Sequence, residues 1–174
     1  MKIEKLSIIK LVITGLAGHD PICVYIDDFG GDTYVSIKIT EFADKWEMLW
    51  PLKGASLSES FQKSDNQYII EYFDKELKST TNYDNNVNKE FVKQEILHAR
   101  KNKYIDYSQA KEMWQEIEEL EDIREDCCNH HASVELLNLL NGDPRNTEWP
   151  EVSNPEYQRM ESRLNAIKEA LKKI

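Results

Sequence analysis

The sequence contains no GxGxxG, P-loop, GxSxG or HExxH pattern, so the nucleotide, serine-hydrolase and zinc-protease chemistries that carry a local signature are not indicated. Cysteine is scarce. The three present, Cys23, Cys127 and Cys128, are an odd number, and adjacent cysteines rarely pair with each other, which excludes a disulfide framework and fits a reducing cytoplasm. With six glycines, five prolines and no Gly/Ser-rich linker, disorder is expected only in short loops. Positive charge is also short: 22 Lys and Arg face 32 Asp and Glu, a net charge of −10. This balance argues against electrostatically driven binding to nucleic acid, which requires a basic groove to displace counterions from phosphates, and an anionic membrane is disfavoured for the same reason. Long apolar runs are missing as well. The opening MKIEKLSIIKLVITGLAG is divided by Lys5, Ser7 and Lys10 into strand-length pieces, whereas a secretory core is continuous over about 7 to 15 residues. No window approaches the roughly 20 apolar residues of a membrane span.

What is present is enough for one globular domain over 1–174, since 40% of the residues are hydrophobic. The stretch 27–54 organises the N-terminal third. Val35, Ile37 and Ile39 alternate with Ser36, Lys38 and Thr40, the period of a strand with one buried face. Gly30-Gly31-Asp32 before them supplies the positive φ angles of a hairpin turn. Strands are expected at 5–14 and 22–29, the latter with Ile22, Val24 and Ile26 on one face and Cys23 and Tyr25 on the other. The short connections require an antiparallel meander. Residues 42–52 fit both periods; Trp46, Met48 and Trp50 alternate, and a fourth strand completes a useful sheet.

After Gly54 the pattern turns helical. Ser56-Leu57-Ser58-Glu59 has the spacing of a capping box, and 65–77 and 87–101 follow as helices. The longest is expected from Tyr107 or Ser108 to His131, where Ala110, Met113, Ile117, Leu120, Ile123 and Cys127 recur at three- and four-residue steps. A further segment, 133–140, stops at Asn141-Gly142-Asp143-Pro144. Asn154-Pro155 starts the last helix, whose Tyr157, Met160, Leu164, Ile167, Leu171 and Ile174 make a packing seam. That seam is expected to pack on the sheet, with pairing to a second copy in a homodimer as the alternative. The fold class is therefore α+β, a three- to four-stranded antiparallel sheet from 1–54 and about five helices from 55–174. The polar KSTTNYDNN near 78–86 is the candidate loop or internal boundary.

Asp20-Pro21, Asp28-Phe29-Gly30, Ile37-Lys38-Ile39-Thr40, Trp46 and Trp50 four apart, and Gly54 form a pattern that resembles a family of small phage- and prophage-encoded proteins. The likeness continues through Ser64-Asp65-Asn66-x-Tyr68, the helix at 110–118, Trp149-Pro150 and Asn154-Pro155-Glu156-Tyr157, nearly the whole chain. Met48-Leu49 stands where relatives often carry a small residue and Tyr, and Pro51-Leu52-Lys53 replaces a glycine-rich turn. The resemblance implies a genomic setting, a protein working in the cytoplasm of a bacterial host, and no particular reaction.

Two clusters carry functional weight. Glu112, Glu116, Glu118, Glu119, Glu121, Asp122, Glu125 and Asp126 face only Lys111 and Arg124 over the same stretch. Such runs are usually a solvated helix face. In a phage setting the same row of carboxylates would engage a basic surface of a host protein or complex, as in an acidic inhibitor of a nucleic-acid-handling or defence system of the anti-CRISPR kind. Trp46 and Trp50 are candidate apolar anchors, although large aromatics are more simply core. The alternative is a metal-stabilised structural or regulatory module using Cys127, Cys128, His130 and His131, with Cys23 or His98 completing a ligand set that four neighbours on one helix cannot close alone. No orienting third group accompanies a cysteine–histidine nucleophile, so the expectation is a non-enzyme without cofactor.

Overall fold

The computed structural model describes residues 8–28 and 33–174. The start of the first expected strand, at 5–7, and the Gly30-Gly31-Asp32 turn lie outside the described residues. The chain is α+β and divides into two compact units, Met1–Ser79 with Asn154–Ile174, and Thr80–Ser153. The first break falls inside the polar 78–86 stretch, and the second unit is an insertion in the sequence of the first.

In the first unit, β1 (Ile8–Ile13), β2 (Ile22–Asp28), β3 (Tyr34–Glu41) and β4 (Asp44–Pro51) form an antiparallel meander in sequence order. The alternation in the sequence sets which face is buried. Val24 and Ile26 align across the ladder with Ile39 and Ile37, Ile22 lies opposite Glu41, and Met48 and Trp50 continue the same face. Against it pack Phe61 of α1 (Leu57–Lys63), Ile69 and Ile70 of α2 (Asn66–Phe73), and the seam of α7 (Pro155–Leu171). Tyr157, Met160, Leu164, Ile167 and Leu171 of that seam are all buried in this core, and Ile174 is exposed. The capping box forms as its spacing demands, with Ser56 accepting from the Glu59 N–H and Glu59 reaching back. Helix α2 stops at Phe73, four residues before the expected 77, because Asp74 takes extended backbone angles.

The inserted unit contains α3 (Asn85–Lys101), α4 (Tyr107–Glu119), α5 (Ile123–Cys128) and α6 (Val134–Leu139). Its two ends pair as β5 (Thr80–Thr81) and β6 (Val152–Ser153), strands too short to register in the sequence pattern. Val92, Ile96, Met113, Ile117, Ile123, Cys127, Leu136 and Trp149 belong to its core, which shares no residue with the core of the first unit. The long helix expected to reach His131 is two helices. Leu120 is extended, and Asp122 caps α5 by accepting from the Glu125 N–H at 2.9 Å. Side chains of α3 satisfy the backbone groups freed by this break. Lys89 donates to the Leu120 carbonyl at 2.7 Å, Asn85 donates to the Glu121 carbonyl at 2.6 Å, and the Ile123 N–H donates to Asn85 Oδ1 at 3.0 Å. Helix α6 ends where Asn141-Gly142 predicts, both residues taking positive φ. Among the described residues no helix is long and apolar enough to cross a membrane.

Candidate functional site

Negative charge is concentrated in the inserted unit. Residues 80–153 hold 16 acidic and 8 basic residues, a net of −8, leaving −2 for the rest of the chain. Within the insertion, Arg124 and Arg145 are the only Lys or Arg residues beyond Lys111.

The carboxylates singled out in the sequence divide by role. Glu116 is half-buried and accepts from both the backbone N–H and the hydroxyl of Ser133, at 2.5 and 2.6 Å, so it holds the start of α6. Asp122 is the α5 cap, and Asp126 accepts back from the Asp122 N–H at 3.3 Å. Glu118 meets Lys93 of α3 at 2.6 Å, and that bond and charge hold its carboxyl below the usual range. Glu112, Glu119 and Glu125 are exposed and make no ion pair with a described residue, as is also true of Glu121 and Glu135. A shallow cavity of about 260 Å³ between α4 and the start of α6 is lined by Gln109, Glu112, Met113, Glu116, Ser133 and Glu135. It is an acidic notch with a thioether in its wall.

The tryptophans lie elsewhere. Trp50 is 1% exposed, its Nε1 donates to Ser60 Oγ at 2.8 Å, and Phe61, Tyr68 and Tyr72 pack edge-on around it. It is a core residue. Trp46 is half-buried, with the Arg163 guanidinium carbon 4.4 Å from its ring centroid.

The Cys-Cys-x-His-His cluster does not converge. Cys127 is buried in the helical core, and burial, with neighbouring Cys128 and carboxylates adding to it, pushes its thiol up to about 12. His130 sits on a left-handed turn and is exposed, while His131 is exposed with Nδ1 3.5 Å from Asp126. Among the described residues no three His, Cys, Asp or Glu side chains are grouped to hold a metal ion.

Sequence reasoning missed one polar centre. Glu41, at the end of β3, is 2% exposed and bonded to the equally buried Arg163 of α7. Its other oxygen lies 3.1 Å from His19 Nδ1, accepts from the Asp20 N–H at 3.1 Å, and is 3.5 Å from Arg159. Burial alone pushes this carboxyl up, but the Arg163 bond and charge, the Asp20 N–H and His19 outweigh it and hold the group below its ordinary value. The signal was available: Glu41 continues the inward series Val35, Ile37, Ile39, and an acid at an inward position requires a cation opposite. Beside this centre, Asp44, Trp46, Asp74, Leu77, Glu156, Arg159, Met160 and Arg163 line a cavity of about 250 Å³.

A family model described as a phage family, Phage_phiTE_072, matches residues 1–173. No curated protein and no solved structure matches the chain.

Proposed function

The chain belongs to this phage family, and on that premise we propose that it is an accessory protein that acts by binding a host protein, with the acidic insertion as the binding element. The observation that carries this reading is the segregation of charge: −8 of the net −10 lies in 80–153, with Glu112, Glu119, Glu121, Glu125 and Glu135 exposed and in no ion pair with a described residue. Carboxylates engaged in capping contribute to the fold, whereas exposed ones without partners raise the local negative potential and steer a basic partner. The partner is a host protein or complex with a basic surface, and a nucleic-acid-handling or defence complex of the kind anti-CRISPR proteins inhibit presents one. The acidic notch between α4 and α6 suits a Lys or Arg side chain from such a partner, with Met113 beside its aliphatic stem. Trp50 has no part in this contact, being buried in the core.

The test is capture from the bacterial host with the tagged full chain at low and high salt. A partner held by this surface is released as the screening length falls from about 8 Å to about 3 Å between 0.15 and 1 M salt. Reversal of Glu112, Glu119 and Glu125 to Lys abolishes capture while the circular dichroism spectrum is unchanged. Capture that survives both the salt and the reversal rejects the acidic face as the binding element.

A further inference from the structure

The residues lining the cavity beside Glu41 all belong to the first unit, and they carry charges of both signs. Glu156, Arg159, Met160 and Arg163 form one stripe of α7, spaced so that all four meet the cavity from the same side. Asp44 and Trp46 face it from β4, and Asp74 and Leu77 from the segment that follows α2.

The inner wall is positively charged. Arg163 is 4% exposed and engages Glu41 through Nε, while Arg159 is half in solvent and only 3.5 Å from the same carboxylate. Two guanidinium groups therefore share one buried carboxylate that also serves His19 and the Asp20 N–H. Arg159, exposed and 3.5 Å from a carboxylate already bonded to Arg163, is the group open to a further carboxylate, which a guanidinium can hold with two parallel bonds. The rim has the opposite sign. Asp44, Asp74 and Glu156 are exposed carboxylates, none in an ion pair with a described residue. Trp46, Leu77 and Met160 supply the apolar part of the lining.

A simple anion entering this cavity would be repelled at the rim, and a simple cation would be repelled at the inner wall. A molecule carrying both charges on adjacent atoms satisfies the two together. We infer that this cavity binds a free α-amino acid with an apolar side chain, its carboxylate toward Arg159 and Arg163, its ammonium toward the rim acids, and its side chain against Trp46, Leu77 and Met160. At about 250 Å³ the space suits a molecule of leucine or methionine size and is below that of drug-sized sites.

The experiment is isothermal titration of the full chain with L-leucine, L-methionine and L-valine, followed by isocaproate and isoamylamine. The last two are leucine without its amino group and without its carboxylate. At least one amino acid should saturate one site, and each leucine analogue should bind at least about ten-fold more weakly than leucine, having lost one charge-assisted contact. Arg159→Met should weaken the amino acid by at least about ten-fold while leaving the melting curve in place, since Arg159 is largely at the surface and Arg163 keeps the buried pair. The inference is overturned if none of the three amino acids binds at about 10 mM. It is equally overturned if either analogue binds as well as leucine, or if Arg159→Met binds like the unaltered chain. Because the acidic insertion takes no part, loss of host-protein capture by the Glu112, Glu119 and Glu125 reversals has no bearing on this result.

Discussion

Glu41 and Arg163 are 122 positions apart in the chain, and their buried ion pair joins the end of β3 to the middle of α7, a helix that follows the whole insertion in sequence. Removing one partner of such a pair strands the other charge in the core. Glu41→Gln is therefore expected to cost about 3 kcal/mol in a urea melt of the full chain.

The same pair sets an acid response. The folded carboxyl titrates below its ordinary value of 4.5, so its contribution is fully present above that pH and is lost as pH falls through the lower folded value. Urea midpoints measured across this window should fall with pH in the natural chain and fall less in Glu41→Gln. Parallel curves would show that other carboxyls dominate acid unfolding.

The two cores share no residue, and the chain leaves and re-enters the first unit at neighbouring points, where the Asn154 N–H donates to the Ser79 carbonyl at 2.9 Å. Residues 80–153 expressed alone are expected to fold with a cooperative melt and a helical spectrum, their length lying in the range where single domains stand without staples. A chain in which residue 79 is followed directly by 154 should likewise retain the sheet and the α7 seam. An unfolded 80–153 fragment would show that its core depends on the rest of the chain.

Much of this architecture is legible in the sequence because it rests on short-range periodicity. Val35, Ile37 and Ile39, and then Trp46, Met48 and Trp50, mark the buried face of the sheet, and Ser56 to Glu59 and Asn154-Pro155 mark helix starts. Long-range causes were less visible. The apolar spacing of 110–127 runs unbroken across Leu120 to Asp122, and the Leu120 and Glu121 carbonyls and the Ile123 N–H freed by the break are satisfied by Asn85 and Lys89, more than 30 positions earlier. The insertion was hidden for a related reason: Thr80–Thr81 and Val152–Ser153 are two-residue strands without a pattern of their own. Among the acidic residues, Glu116 and Glu119 look alike as letters, yet Ser133 separates a fold-holding carboxylate from a free one.

Cys127 and Cys128 should separate chemically. The Cys127 thiol is buried and pushed up to about 12, so it stays protonated and sheltered in the folded protein. Cys23 and Cys128 are partly exposed. Titration with a disulfide reagent at pH 8 is expected to count two thiols in the folded chain and the third only after denaturant. Cys127→Ser should destabilise the insertion by about 1 to 3 kcal/mol, the cost of placing an unbonded hydroxyl in that core. Immediate reaction of all three would mean that the helical core opens around Cys127.

The acidic residues themselves provide the sharpest separation of folding from recognition. Ser133 caps α6 by accepting from the Leu136 N–H at 3.2 Å, and its own N–H and hydroxyl are both held by Glu116. Glu116→Ala removes two charge-assisted bonds from a half-buried position and is expected to cost about 2 kcal/mol. Glu119→Gln and Glu125→Gln remove exposed carboxylates without described partners, so each should change stability by less than about 0.5 kcal/mol. If the exposed set recognises a basic partner, the order reverses in a binding assay: the Glu119 and Glu125 variants lose partner capture at a salt where the natural chain retains it. Each neutralised charge should also flatten the salt dependence of capture, because a steering charge acts through the screened field. Variants that lose stability and capture in the same order would instead show that the acidic run serves the fold alone, and the binding element would have to be sought outside the insertion.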